Sequence, residues 1–528
     1  MPLPTPATPL PGPAGRPPRY RTIFDDLTAD ERMLLAQIKR FFECFEGDAD
    51  LREALTSGAA TPAQLAWLRD VGITFDVQQL SPLWRERALF EQAINNPEDP
   101  ALRARAEDLL TSNPVLALWT RIRTRQADIH IQQRQWVTTT ATASPLFSAW
   151  RTRRIAATRS ELGVYGHTID HPVIAVELAV GCTVGCYFCA FDAQTLQTVF
   201  EYNAPDNQAL FTGIAESFRA SLGWAAGHAM LYWRTEPHDN PDYLKFMGEW
   251  ERVTGATLCT ATARADEAWV RDLLAFYGRE GRGPLPWPRI SVLSRGIMRR
   301  LHSTFTPEET LHMPLLMQQT DGRRAKVPGG REKMLQRLDD YADLRELDVE
   351  RRPEGHDVPQ GSIACVSGFL VNMVDRTLKL ISPCFTSRSH PHGYRIFDEV
   401  TFTDAEDFDR QLQDMITRKM VVKPFEGMPV RFRDDLRYRA RPDGFTLTSP
   451  NVVHTCRGNP MYGPLGRMIA AGDATCGEIV QALTNQHGLN WAIVNAALAG
   501  LFERGLLDEV GIVAPIATEG NARHVGVA

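Results

Sequence analysis

Cys182-Thr-Val-Gly-Cys186-Tyr-Phe-Cys189 places three thiols in one short loop, directly after an apolar run, Pro172 to Val180, that reads as a buried strand. Three soft thiolates this close together are metal ligands by type. A structural zinc site normally takes four protein ligands, so a three-cysteine loop with no clear fourth partner nearby suits an ion or cluster that keeps one position open. A zinc knuckle completed by a distant residue, or a chance grouping, is the alternative. Whatever else the chain does, its fold has to set a strand beneath this loop.

The remaining six cysteines, at 44, 259, 365, 384, 456 and 476, are scattered and do not form a disulfide framework. A reducing, cytoplasmic compartment fits them. No apolar stretch is long enough to span a membrane, and the N-terminus lacks a basic segment followed by an apolar one. With 58 Lys or Arg against 64 Asp or Glu, the net charge of −6 offers no bulk attraction for nucleic acid or an acidic membrane. The 528 residues exceed one core, and correspond to roughly three to four domains' worth of material.

Residues 1–22 are dominated by proline and read as a disordered tail. Residues 23–160 read as a helical domain, with helices expected over Ala29 to Phe45, Pro62 to Val71, Pro82 to Ile94 and Pro100 to Thr111, several opening on Thr, Ser or Asp beside a proline. Within it, Phe41 to Phe75 is laid out as helix, turn and second helix, an ordinary helical hairpin that is also weakly similar to the leaders of nitrile-hydratase-type precursors. The basic run Arg151 to Arg159 reads as a solvated helix face or, more sharply, as an anion-binding rim.

Over residues 161–400, strand candidates (Val173 to Val180, Ala229 to Trp233, Ala256 to Thr262, Arg289 to Leu293, Ala364 to Val374, Leu378 to Ile381) are interspersed with helices at Asn207 to Leu222, Asp242 to Thr254 and Asp266 to Tyr277. Such alternation predicts an α/β fold, a parallel sheet with helices outside. Residues 401–447 read as a connecting segment. Over 448–515, hairpin material around Val452 to Leu465 precedes two short amphipathic helices, the first opened by the Thr475-x-x-Glu478 capping box, and together they look like a winged-helix unit. Three basic residues there face five acidic ones, which disfavours DNA and leaves peptide binding or a structural cap. Residues 516–528 read as a tail.

Four segments carry a resemblance: FFECFEGDADLREAL, ELAVGCTVGCYFCAFDA, YWRTEPHDNPDY and KLISPCFTSRSHPHGY. The cysteine spacing resembles the signature of radical S-adenosylmethionine (SAM) enzymes, and the four together look like the polytheonamide-type peptide epimerases, which install D-residues in ribosomally made peptides. The resemblance covers about residues 25 to 400. It implies a partial TIM-like barrel with its active site at the C-terminal strand ends. It also implies one 4Fe-4S cluster on Cys182, Cys186 and Cys189, with SAM, consumed as a cosubstrate, on the open iron. The Thr235-Glu236-Pro237 turn, in a motif where Arg234 and Thr235 replace glycines, would receive the SAM ammonium. Phe188 would lie near adenine, and Ser291 and Ser294 near the ribose.

The resemblance further implies a precursor peptide held by its leader at the C-terminal module, and a flavodoxin- or ferredoxin-type electron donor. Cys384, after the strand Leu378 to Ile381, is the expected hydrogen-atom donor, with Cys365 the runner-up. His390 and His392 nearby read as a polar loop rather than a metal site. The expected activity is L-to-D epimerisation. Thioether or carbon–carbon crosslinking is one alternative, and a non-enzymatic, metal-stabilised peptide-binding protein another.

Overall fold

The computed structural model describes residues 23–86, 89, 99–139, 143–167, 169–278, 288–319, 322, 331, 364–387, 389–449 and 451–514. The proline-rich tail, the C-terminal tail and the second half of the helix expected at Pro82 to Ile94 lie outside them.

Helices open the described part of the chain, among them a single turn at Pro82–Arg85. α1 (Ala29–Gly47) starts on a capping box between Thr28 and Glu31, and α2 (Ala49–Ser57) starts on Asp48. α3 (Pro62–Asp70) has a second capping box, Thr61 with Gln64. α4 (Pro100–Ser112) and α5 (Pro114–Thr139) follow. Ile38, Phe41, Phe45, Leu51 and Leu118 share one apolar core, which also takes in Leu311 from outside these helices. Buried Arg40 on α1 donates to the carbonyls of Val71, His302 and Phe305 at 3.1, 3.1 and 2.7 Å. These helices are therefore fastened to the sheet region rather than standing apart.

α6 (Pro145–Leu162) was expected to close the helical domain, but Phe147 and Trp150 belong to the main core with the sheet. Arg151, Arg153 and Arg154 on it are buried. Three of the run's four arginines thus form neither the solvated face nor the anion rim expected of it: Arg151 donates to the His171 carbonyl at 2.5 Å, and Arg153 and Arg154 pair with Glu509, while Arg159 is exposed.

The larger sheet has the order β8-β7-β6-β1-β2. β1 (Ile174–Glu177) lies parallel to β2 (Ala229–Met230) and to β6 (Gly368–Asn372). β7 (Thr377–Pro383) and β8 (Tyr394–Thr401), in contrast, run antiparallel to their neighbours. β3 (Thr260–Thr262), β4 (Pro288–Val292) and β5 (Leu315–Met317) form a second, wholly parallel sheet. Neither closes into a barrel among the described residues, and the observed class is mixed α/β.

Helices α7 (Asn207–Leu222), α8 (Tyr243–Thr254), α9 (Glu267–Tyr277) and α10 (Arg295–Thr304) follow strands or precede them. Phe211, Phe218, Phe246 and Trp250 from α7 and α8 cover the face of β1 that carries Ile174 and Val176. The opposite, inner face carries Ala175 and Glu177, and Ala175 packs with Met230 and Leu370. α11 (Ala405–Lys419) adds Phe408, Leu412, Met415 and Ile416 to the main core. Residues 401–419 are accordingly part of the sheet-bearing body, not a connector.

The C-terminal module begins earlier than expected, since Val421, Met428, Val430 and Phe432 share its core with Leu498 and Leu507. It consists of the antiparallel sheet β9 (Arg437–Arg441), β10 (Gly444–Thr448) and β11 (Val453–Arg457), followed by α12 (Tyr462–Ala471), α13 (Cys476–His487) and α14 (Trp491–Glu503).

Candidate functional site

The three-cysteine loop leaves the C-terminal end of β1 through Gly181, at φ 91°, where a Cβ would stand 2.3 Å from the Thr195 carbonyl oxygen. That close approach lets Cys182 N donate to Gln194 O at 2.9 Å. Two distant residues clamp the loop. Asp239 accepts from Thr183 N at 2.8 Å and from the Thr183 hydroxyl. Arg331 donates to Cys186 O and to the Asp192 carboxylate, each at 2.8 Å.

All three thiols are half-buried and outside any disulfide. Burial pushes the Cys186 thiol up to about 11, and Cys182 and Cys189 add to the shift, so the three sulfurs sense one another. Burial also raises Cys182, with Glu236 and Asp239 adding to it. Among the described residues no group of three or more His, Cys, Asp or Glu is arranged to hold a metal ion. The donor set itself, three thiols of one clamped loop, fits the thiolate ligation of an iron–sulfur cluster, whose positive charge would lower the thiol values.

Glu236 lies in the turn after β2 and is buried. Its carboxylate accepts from His238 N at 3.1 Å, from Ala263 N at 2.8 Å and from the Thr262 hydroxyl. A carboxylate has about four lone-pair sites, so one remains, on Oε2, for an incoming donor. Burial raises this carboxyl against the pull of those hydrogen bonds. The same bonds join the two sheets, because Thr262 and Ala263 lie at the end of β3.

Arg234 takes φ 38°, in the left-handed region. A side chain in this backbone shape, which glycine favours, costs about 1–2 kcal/mol. Arg234 Nε donates to Glu177 Oε1 at 2.9 Å, and Asn372 holds Glu177 Oε2 at the same distance, which ties β1, β2 and β6 together at one end. Thr235 is half-buried and Pro237 buried.

Further along the inner face, Arg289 donates to the Tyr232 hydroxyl at 2.6 Å. Arg289 is the lateral partner of Ala261, and Cys259 precedes Ala261 by two, so strand alternation sets Cys259 on the same side. Cys259, Tyr232 and Cys365 all act electrostatically on Arg289, and Cys365 packs against the inner apolar cluster. Burial pushes the Cys365 thiol up to about 12 despite Arg289. Ser291 shares the Arg289 side of β4 and is half-buried. Ser294 instead caps α10, accepting from Ile297 N at 3.2 Å. Phe188 is half-buried, edge-on to Tyr187 at 4.9 Å.

Cys384 does not lie where a parallel strand would have put it. β7 runs antiparallel, with Thr377 beside Asn372 and Ile381 beside Gly368, so its C-terminal end is at the opposite end of the sheet from the cysteine loop. Cys384 is fully buried there, its N–H bonded to Gly393 O at 2.8 Å, and it acts electrostatically on Arg395, which lies beside Ser382. His390 and His392 are engaged separately: His390 stands 3.4 Å from Asp434, and His392 stacks on Tyr394.

A Cys–His–Glu arrangement not suspected from sequence lies at the α1–α10 contact. Cys44 Sγ is 3.5 Å from His302 Nδ1, and His302 Nε2 is 3.2 Å from Glu43 Oε2. Cys44 is fully buried, burial drives its thiol far above the ordinary range, and Glu43 also accepts from Leu315 N. This group joins α1 to the second sheet and offers no nucleophile to solvent.

Residues 430–505 match the family described as the protein y4wI C-terminal domain. The uncharacterized protein y4wI of Sinorhizobium fredii (strain NBRC 101917 / NGR234) is 33% identical over 500 residues, covering 93% of this chain and 90% of that protein. No solved structure matches the chain.

Proposed function

The chain belongs to the y4wI family, and on that premise we propose that it is a radical SAM enzyme that inverts L-residues of a ribosomally made peptide to D. The observation that carries the reading is the junction of two motifs far apart in sequence. The cysteine loop after β1 is clamped by Thr183 and Asp239 onto the turn that presents Glu236. Cys182, Cys186 and Cys189 would hold the cluster. The Thr235–Pro237 backbone and the remaining lone pair of Glu236 would receive the SAM ammonium, with Phe188 and Ser291 near its nucleoside. When bound, cluster and SAM supply a radical able to remove hydrogen from an unactivated carbon.

The chain's own residues then determine the outcome. A peptide Cα held over the inner cluster would have the Glu236 turn toward the C-terminal end of β2 and Cys365, which precedes β6 and packs on that cluster, toward the other end of the sheet. Cys365, rather than Cys384, returns the hydrogen: its S–H bond breaks, a Cα–H bond forms on the opposite face, and the thiyl left behind takes one electron from the flavodoxin- or ferredoxin-type donor and one proton from solvent. Burial keeps Cys365 as the protonated thiol this step needs. The absence of Cys384 from the inner face favours one second reading, crosslinking without hydrogen return.

Incubating the anaerobically reconstituted protein with reductant, SAM and precursor in deuterated water separates the two. Epimerisation gives D-residues carrying deuterium at Cα with no other change in composition. Loss of two hydrogens per event would replace it with crosslinking, and a colourless, iron-free protein after reconstitution would remove both.

A further inference from the structure

We propose that the outer face and free edge of the β9–β11 sheet bind an acidic, extended polypeptide segment. Arg437, Arg439 and Arg441 occupy alternate positions of β9, an edge strand, and all three are exposed. Alternate residues point to one side, here away from the module's core, toward which Tyr438 is turned. Across the sheet, Arg441, Gly444 and Arg457 are successive lateral partners, as are Arg439, Thr446 and Thr455. Gly444 and Thr446 of the central strand are buried between these neighbours, so what this face presents to solvent is the arginine side chains of β9 together with Thr455 and Arg457. Among the described residues, Arg439, Arg441 and Arg457 make no ion pair. By comparison, Arg433 in the same module is paired with Asp435 and Arg431 with Asp508.

The guanidiniums of Arg439 and Arg441, on one strand face at a repeat of roughly 7 Å, match carboxylates on every second residue of another extended chain. The β9 edge supplies main-chain partners for the same segment. The charge balance expected from residues 448–515 gave no hint of this, because β9 lies before that boundary. Over 421–514 the module has nine Lys or Arg against nine Asp or Glu, with the unpaired positive charge gathered on this sheet. Phosphates of DNA are the rival occupant. A winged-helix reader places a helix in the groove, and neither α13 nor α14 contains a Lys or Arg. α14 instead exposes Trp491 and Ile493.

The inference rests on the peptide-substrate reading in that it gives the chemistry of the leader by which a precursor is held, yet its test needs neither cluster nor SAM. Fluorescein-labelled twelve-residue peptides with Glu at alternate positions, the same peptides with Lys in place of Glu, and a labelled DNA duplex are titrated with the full-length protein, followed by anisotropy at low and high salt. The Glu peptide binds, weakens as salt rises, and loses at least about tenfold in affinity with Arg439→Glu/Arg441→Glu, whereas Arg300→Glu, an exposed position of α10, leaves it unchanged. Equal binding of Glu and Lys peptides, indifference to the double reversal, or duplex binding stronger than peptide binding overturns the proposal. Peptide binding that survives while no D-residue forms would sink the epimerase reading alone.

Discussion

Cys365 precedes the β6–β7 hairpin and Cys384 follows it, so both lie toward the same end of the sheet and side-chain facing separates their chemistry. Cys365 packs with Ala175, Met230 and Leu370 on the inner face, beside Arg289 and Tyr232. Cys384 is fully enclosed, follows Pro383, whose carbonyl accepts from the Thr158 hydroxyl, and precedes Phe385, whose N–H is held by Glu161. Replacing Cys365 with Ala is expected to leave SAM cleavage intact and to cut D-residue formation at least about tenfold, read by chiral analysis of the hydrolysed peptide. Cys384→Ala, in contrast, keeps D-residue formation within about twofold and lowers stability by about 1 kcal/mol, as loss of a small buried side chain does. Inversion lost with Cys384→Ala but kept with Cys365→Ala would reverse the assignment.

At the scale of elements, the site depends on two turns held against one another, after β1 and after β2. Asp239→Ala removes both bonds to Thr183, and Thr183 is left with Arg264, 2.5 Å from its hydroxyl. The loop then loses one of its two clamps, Arg331 remaining, without any loss of core. Iron and sulfide bound per chain after reconstitution should fall by more than half, while the thermal midpoint moves by no more than about 2 °C, because surface changes of this kind cost about 0.5 kcal/mol or less. Undiminished iron would show that the clamp is not what forms the cysteine loop.

These elements were unequally legible in the sequence. Asn207–Leu222 is read residue for residue, because apolar periodicity and a closing glycine are local signals. The cysteine loop is legible for the same reason. Its partners are not, since Asp239 is 56 residues from Thr183 and Arg331 is 145 from Cys186. Leu378 to Ile381 reads as a strand, but its direction is set by pairing with β6 and leaves no mark on composition, so the sequence puts Cys384 at the cysteine-loop end of the sheet whereas the antiparallel register puts it at the other. β5, three residues long, and β8 went unread: the first is too short to show alternation, and a register shift between Ile396 and Asp398 breaks it in the second.

At the scale of the whole molecule, the C-terminal module is joined to the body by buried charge rather than by a linker. Glu509 accepts from both Arg153 and Arg154 of α6. Arg395 of β8 meets Glu161 at 2.6 Å and Asp435 at 3.2 Å, and Arg433 pairs with Asp435. Arg395 lies beside Ser382, near the end of the sheet opposite the cysteine loop, so a segment held on the module has to run the length of the sheet to reach the Glu236 turn. A joint that fixes this separation would also fix which residue of a bound peptide arrives there. Buried ion pairs contribute little net stability, but breaking one leaves a charge stranded, at a cost of roughly 3–5 kcal/mol. Glu509→Leu strands two guanidiniums at once. Calorimetry should resolve one unfolding transition in the wild type and two in the variant, the module melting first, with the same peptide affinity at the β9 face and a broader distribution of inverted positions along the precursor. A single transition shifted by less than about 1 kcal/mol would mean that the apolar contacts between α6 and the module, not the ion pairs, hold the two together.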